Sequence, residues 1–309
     1  MNLSGRLPRR SSRVRGLRRR EAVDAYIMIG PWLLGLLLFT IGPMVASALL
    51  AFVSWDVLSP WQWVGLANFR QAFSDRLVYL SLANTAYYTF IGVPLGLLSA
   101  LILALMLNVK IRGTNLYRTW YYLPSVVPTV ANSMVWIWLL HPQFGLVNLF
   151  LHVLGIQGPD WLMNPATAKP ALIVMGMWGI GSTCVIFLAG LQNVPEVLHE
   201  AAQMDGAGVI RRFFDVTLPM LTPVVFFNLV MGIIGSFQVF TTAYIMTQGG
   251  PVNSTLFYLL YLYRNVWEYF KFGYASALAW ILFAIIMVFT LLQLRLSSVW
   301  VFYEGELRS

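Results

Sequence analysis

The chain has 309 residues, of which 59% are hydrophobic and only 10% charged, with a mean hydropathy of +0.71. This excludes an ordinary soluble domain, where roughly 25% of residues are charged. Several apolar runs of about 20 residues are long enough to cross a bilayer as helices, and they are too unbroken for the alternation of a membrane β-barrel. The net charge of +8 does not mark a nucleic-acid binder. Eight of the twenty Lys and Arg residues are Arg6, Arg9, Arg10, Arg13, Arg15, Arg18, Arg19 and Arg20, in a stretch without interleaved aromatics that abuts an apolar run. The basic tail, residues 1–23, reads as a topology determinant drawn to anionic lipid or as a solvated tail. The apolar segment behind it is too long for a signal-peptide core and reads as an uncleaved span.

In chain order, the expected spans are 25–53, 84–108, 119–140, 170–191, 220–246 and 274–294. Trp55, Trp61 and Trp63 follow the first and suit an interfacial belt. Gly92 and Gly96 in the second form a small-xxx-small pair that permits close helix approach. Pro124 and Pro128 are expected to kink or break the third. The fourth carries Gly176, Gly179 and Gly181. Cys184, the single cysteine, reads as a small packing residue. An aromatic segment, 247–273, separates the last two spans.

The fold expected is therefore an all-α polytopic membrane protein with six transmembrane helices and both termini on one side. Fifteen Lys and Arg residues fall on the side of the termini and five on the other. The positive-inside rule makes the first side cytoplasmic. The long charged loop 193–219 then lies in the cytoplasm as well.

No Asp, Glu, Lys, Arg or His falls inside any of these six ranges, which argues against a proton- or ion-coupled carrier. Sodium sites built from carbonyls and hydroxyls stay open. There is no phosphate-cradling G-x-x-x-x-G-K-[ST] motif: Lys110, Lys169 and Lys271 follow Val, Ala and Phe. His141, His152 and His199 are scattered rather than spaced as metal ligands, and no nucleophile elbow occurs. A pore-forming subunit with a separate engine remains. The alternatives are a self-sufficient secondary carrier or channel, and a membrane anchor without a pathway.

Loop 193–219 is the longest charged, helix-capable segment in the hydrophobic part of the chain. Asn193 with Glu196 suits a capped helix start, and Pro195 suits the first turn. Val194, Val197, Leu198 and Ala201 form an apolar stripe. Asp205, Gly206 and Gly208 interrupt it, and Ile210, Phe213, Phe214, Thr217 and Leu218 form a second. Two short amphipathic helices joined by a glycine turn are expected, packed on a partner or on lipid and the chain's own spans.

The run from Glu200 to Pro223, EAAQMDGAGVIRRFFDVTLPMLTP, resembles the EAA loop of binding-protein-dependent ABC importer permeases. Glu200, Ala201, Ala202, Asp205, Gly206, Ala207, Phe213, Leu218, Pro219, Leu221 and Pro223 carry the resemblance. TQGGP from Thr247, GYASA from Gly273 and WVFYEGE from Trp300 are similar to the carbohydrate-uptake branch, the maltose, multiple-sugar and glycerol-phosphate type. The resemblance implies the type I importer permease fold and no enzymatic activity in this chain. It implies import across a prokaryotic cytoplasmic membrane with a second, homologous permease subunit, two copies of a cytoplasmic ATPase and an extracytoplasmic solute-binding protein. ATP and Mg²⁺ would be held by the ATPase and no cofactor by this chain. Glu200, Ala201, Ala202, Asp205, Gly206, Ala207 and Gly208 would form the coupling segment.

For the solute, a sugar or sugar-like molecule, polar and small residues at helical spacing on the fourth and fifth spans are the candidates. These are Trp178, Ser182, Asn228, Gly232 and Ser236, with Gln238 beside them. An aromatic ring beside hydroxyls and amides suits a sugar's CH faces and hydroxyls. Helix packing is the competing role for the same residues.

Overall fold

The structure, a computed structural model, describes residues 11–302 except Val57, Lys110 and Ile111, with side chains from residue 21 onward save Ala22. The expectations for the basic tail up to residue 10, for Lys110 and for the closing residues from 303 lie outside the described residues.

Helix α1 (Ser11–Leu36) continues through a π-helical turn, Leu37–Ile41, into α2 (Gly42–Leu50). Pro43 explains the wide turn, because it has no N–H and its ring would clash with a carbonyl one α-turn back. A hairpin of β1 (Val53–Ser54) and β2 (Gln62–Trp63) and the short α3 (Ala67–Ser74) follow. Helix α4 (Arg76–Leu107) starts well before residue 84, because Asp75 caps it: its carboxylate accepts from the Leu77 amide at 2.8 Å.

The expected third span is two helices, α5 (Thr114–Val126) and α6 (Thr129–Leu139). Val127, the residue before Pro128, is extended at φ −68°, ψ 130°, as the clash with a following proline ring requires. Pro124 is accommodated inside α5. After α7 (Leu146–Val153), the expected fourth span is likewise a pair, α8 (Pro165–Trp178) and α9 (Gly181–Gln192), bent by 50° at Gly179 and Ile180. The bend lets α5 close on α9: a Cβ on Gly181 would meet Tyr121 O at 2.5 Å.

Loop 193–219 contains α10 (Glu196–Met204) and α11 (Val209–Arg212). The second does not stop before the fifth span. It runs through a π turn, Phe213–Thr217, into α12 (Leu218–Phe237), giving one 29-residue helix. Pro219 again follows the π turn that absorbs it. Helix α12 ends at Phe237 rather than at residue 246, with the short α13 (Thr241–Met246) set apart from it. Then come α14 (Tyr258–Trp267) and α15 (Phe272–Trp300), the latter running past residue 294 through Arg295.

Among the described residues, four helices are long and apolar enough to cross a membrane, or five with the α8–α9 pair as one crossing. The chain is an all-α, multi-pass membrane protein. The expected break in the third span is present at Pro128, and a bend at Gly179 and Ile180 divides the expected fourth as well. One exclusion also needs correction. Helix α8 begins five residues earlier than the expected span, so Lys169 lies inside it.

Two cores flank the middle of α4. One packs Val78, Leu172, Phe257, Tyr258, Leu260 and Leu278. The other packs Ala100, Ala104 and Leu107 of α4 against Cys184, Phe187 and Leu188 of α9, with Leu221. Polar ties fix α4 to the segment before α14: Thr85 Oγ1 accepts from the Tyr258 amide at 2.9 Å, and Asn84 Nδ2 donates to Asn253 O and Leu256 O at 2.8 and 3.1 Å.

Candidate functional site: the loop helix and the central cavity

Helix α10 carries the E-A-A run and, among the described residues, packs chiefly against the α11 segment that follows it. It has no buried residue. Val197, Leu198 and Met204 are exposed, as are Val209 and Ile210 beyond the turn. Glu200 and Ala201 point outward and Ala202 is half-buried. The apolar stripe is real, and no span of this chain covers it.

The start of α10 differs from expectation. Asn193 is the C-cap of α9, and Pro195 precedes α10 as a cap without a side-chain hydrogen bond. Asn193 is claimed by the preceding helix because its amide donates to Ala189 O and Gly190 O. Glu196 in the first turn still complements the helix dipole.

The end of α10 is more sharply specified. Ala207 N donates to Ala202 O at 2.9 Å and Gly206 N to Gln203 O at 3.0 Å. With Gly206 at φ +79°, this is a Schellman turn, which satisfies the last carbonyls and needs a left-handed residue at that point. Asp205 is the C-cap and Gly208 the extended residue opening α11. Arg212 reaches back to Gln203 Oε1 at 3.4 Å, and Arg211 pairs with Asp215 at 3.1 Å. The second pair is exposed and contributes little stability.

A cavity of about 440 Å³ opens between α4, α8, α9 and α12, within the usual size range of small-molecule sites. Asn228, Gly232 and Ser236 line it together. Asn228 Nδ2 is held by Val224 O at 2.9 Å. The Ser236 hydroxyl oxygen is buried and has no hydrogen-bond partner among the described residues. No lining residue carries a formal charge.

Trp178, Ser182 and Gln238 are not among the lining residues. Trp178 is more than half exposed, and its ring stands edge-on to Trp136 at 6.1 Å. Ser182 and Gln238 are exposed too. The bend at Gly179 turns Thr183, rather than Ser182, into the cavity.

Sequence reasoning missed Tyr88 and Thr183, and it gave Gly92 and Gly96 a different role. The two glycines line the cavity. A Cβ on Gly92 would make ordinary contact with Ile173, and one on Gly96 would meet nothing within 4 Å. They make space here, and no helix packs tightly on them. Their spacing is the same for either role, so only the neighbouring helix could have told the two apart.

Residues 92–298 match the family described as binding-protein-dependent transport system inner membrane component. The chain is 43% identical to a probable ABC transporter permease protein, YesP, of Bacillus subtilis, over 93% of this chain and 94% of that one. It is 34% identical to the sulfoquinovosyl glycerol transport system permease protein SmoG of Agrobacterium fabrum, over 88% and 89%. Against the trehalose/maltose transport system permease protein MalF of Thermococcus litoralis, identity is 32% over 91% and 96%. Among solved structures, one chain of a bacterial ABC transporter involved in import of the acidic polysaccharide alginate superposes with a TM-score of 0.82 at 24% identity, covering 93% of this chain and 99% of that chain. That likeness shows a shared fold. An apolar helix bundle with an exposed E-A-A helix, matched along most of its length, belongs to the binding-protein-dependent ABC transporter permeases.

Proposed function

We propose that the chain is the pore-forming permease subunit of an ATP-driven importer for a sugar or sugar-like solute. It works with a second permease subunit, two copies of a separate ATPase and an extracytoplasmic solute-binding protein. The observation that carries this is α10: an amphipathic helix with an E-A-A face, closed by a Schellman turn, whose apolar residues Val197, Leu198 and Met204 are exposed among the described residues. Such a helix is marginal alone and fits a cleft on a partner. Glu200 offers an anionic contact there, Ala201 and Ala202 allow close approach, and the Gly206–Gly208 turn sets the angle at which α11 and α12 receive the push.

The solute passage runs along Asn228, Gly232 and Ser236. Trp178, Ser182 and Gln238 lie on the exposed flank, where the second permease subunit completes the passage. Helices α5 and α6 together make a sixth crossing, interrupted at Pro128. Both termini then lie with loop 193–219 on the cytoplasmic face of a prokaryotic inner membrane. ATP and Mg²⁺ belong to the ATPase. The sugar class follows from the relatives named for trehalose/maltose, sulfoquinovosyl glycerol and arabinooligosaccharides.

The test is reconstitution in liposomes of this chain alone and in the assembled importer. Solute uptake is expected only from the assembly, and only with ATP. Uptake by the isolated chain without ATP would establish the self-sufficient carrier instead.

A further inference from the structure

Lys169 stands one turn inside α8 and reaches across to α4. Its Nζ donates to Asn84 Oδ1 at 3.0 Å and lies 4.7 Å from the centre of the Tyr87 ring. Both partners are neutral. Among the described residues, no carboxylate lies within ion-pair distance of this ammonium. A lysine that merely snorkels sends its charge to water at the end of its own helix. Here the charge is captured by a neighbouring helix, and the capturing amide is itself held by two backbone carbonyls, Asn253 O and Leu256 O.

The position matters as much as the partners. Lys169 is four residues before Ile173 on α8, and Asn84 is four before Tyr88 on α4. Ile173 and Tyr88 both line the central cavity. One helical turn is about 5.4 Å, so the Lys169–Asn84 pair stands about one turn beyond the cavity rim, at the end remote from α10. Ionisable groups in spans pair with one another or with backbone carbonyls, or mark the path of a charged solute, and among the described residues Lys169 has neither an opposite charge nor a backbone carbonyl as partner. An ammonium has three N–H donors. One goes to Asn84, and the Tyr87 face takes part of the charge, which leaves donor capacity for an anion.

We propose that Lys169 is a specificity residue at the mouth of the passage, and that the solute it selects carries a carboxylate, as an acidic sugar does. This rests on the reading of the chain as a sugar permease. The ammonium attracts and hydrogen-bonds the carboxylate. Asn84 and Tyr87 hold the lysine in place, and the uncharged cavity below accepts the rest of the sugar.

The test uses the assembled importer in liposomes, with ATP-driven uptake of a uronic-acid disaccharide and of its methyl ester measured below saturation. Wild type, Lys169→Gln and Lys169→Arg are compared. The binding protein is the same in every arm, so its own preference cancels in the ratio of variant to wild type. K169Q is expected to lower uptake of the acid about tenfold or more, as loss of a charge-assisted hydrogen bond does, and to leave the ester within about twofold. K169R should restore most of the acid uptake. Equal loss for both sugars makes the lysine a mere tie between α8 and α4 and overturns the inference, as does no loss for either. Wild-type uptake of the ester but not the acid also overturns it, while leaving the permease reading intact. Absence of ATP-driven uptake of any sugar by wild type overturns both.

Discussion

Gly232 and Val93 meet where α12 crosses α4: a Cβ on Gly232 would lie 2.9 Å from Val93 Cγ1. Val93 is β-branched and has little rotamer freedom in a helix, so it cannot swing aside. Gly232→Ala is therefore expected to separate the helices slightly and destabilise the subunit by about 1–3 kcal/mol, the range for overpacking. Val93→Ala should relieve much of that loss in the double variant. The check is thermal unfolding of wild type, both single variants and the double, read as a cycle. Additive losses would show that the contact is not the cause.

Three residues away, the outcome reverses. A Cβ on Gly235 would meet nothing within 4 Å, and Gly235 faces the cavity. Gly235→Cys should fold normally and react readily with a water-soluble thiol reagent in the assembled importer, with solute slowing the reaction. Ser236→Cys should react more slowly, because the Ser236 oxygen is shielded. The native Cys184 is 2% exposed and supplies a silent background. A Gly235→Cys thiol that never reacts, in any nucleotide state, would place this face against lipid or a neighbouring helix.

These two glycines show what the sequence could and could not convey. Membrane character, the helix pair around the E-A-A run and the break at Pro128 follow from composition, period and proline sterics, which are local. Which glycine makes a close contact is not local. Gly92 and Gly96 have the spacing of a packing pair and open onto the cavity. Tight side-chain contacts of glycines between spans are found instead at Gly232 against Val93 and at Gly190 against Leu221 and Val224, where spacing alone gives no warning. Helix ends were misread for a related reason. Asn193 has the side chain of an N-cap, but α9 continues to it. Lys169 falls just outside the expected fourth span, 170–191, because α8 tolerates Pro170 within its second turn and starts at Pro165.

Asp75 provides a pH test outside the spans. Burial alone would raise its pKa, but the hydroxyls of Tyr261 and Tyr274 at 2.5 and 2.8 Å, with the Leu77 amide, outweigh it and hold the carboxyl below its ordinary 3.8. A depressed folded-state pKa means that the ionised form stabilises the fold above the unfolded value, and that this contribution fades as pH falls through the folded value. Asp75→Asn keeps the cap and removes the charge. It should lower stability at pH 7 by about 1–2 kcal/mol, the low end for hydrogen bonds to a charged group that is partly exposed. The gap to wild type should close progressively below pH 3.8. Thermal unfolding in detergent between pH 3 and 8 measures it, and a gap that stays constant across that range would refute the assignment.

The sharpest consequence of the Schellman turn falls on Gly206. At φ +79° a proline cannot form, since its ring fixes φ near −65°, and proline also removes the amide that donates to Gln203 O. Gly206→Pro should therefore unwind the end of α10 and abolish ATP-driven uptake, while membrane insertion, which depends on the apolar spans, is unaffected. Gly206→Asn, which tolerates the left-handed region, should retain most uptake. Glu200→Lys changes no internal contact, because Glu200 is exposed, so it should leave the subunit as stable as wild type and still abolish uptake by reversing the charge offered to the ATPase. The measurement is ATP hydrolysis stimulated by solute in the assembled importer, beside subunit stability. Stimulation should fall at least tenfold for Glu200→Lys and for Gly206→Pro, roughly the loss of one charged hydrogen bond. Full stimulation with Glu200→Lys would move the coupling contact away from Glu200, with Glu196, exposed one turn earlier on the same face, as the next acid to test.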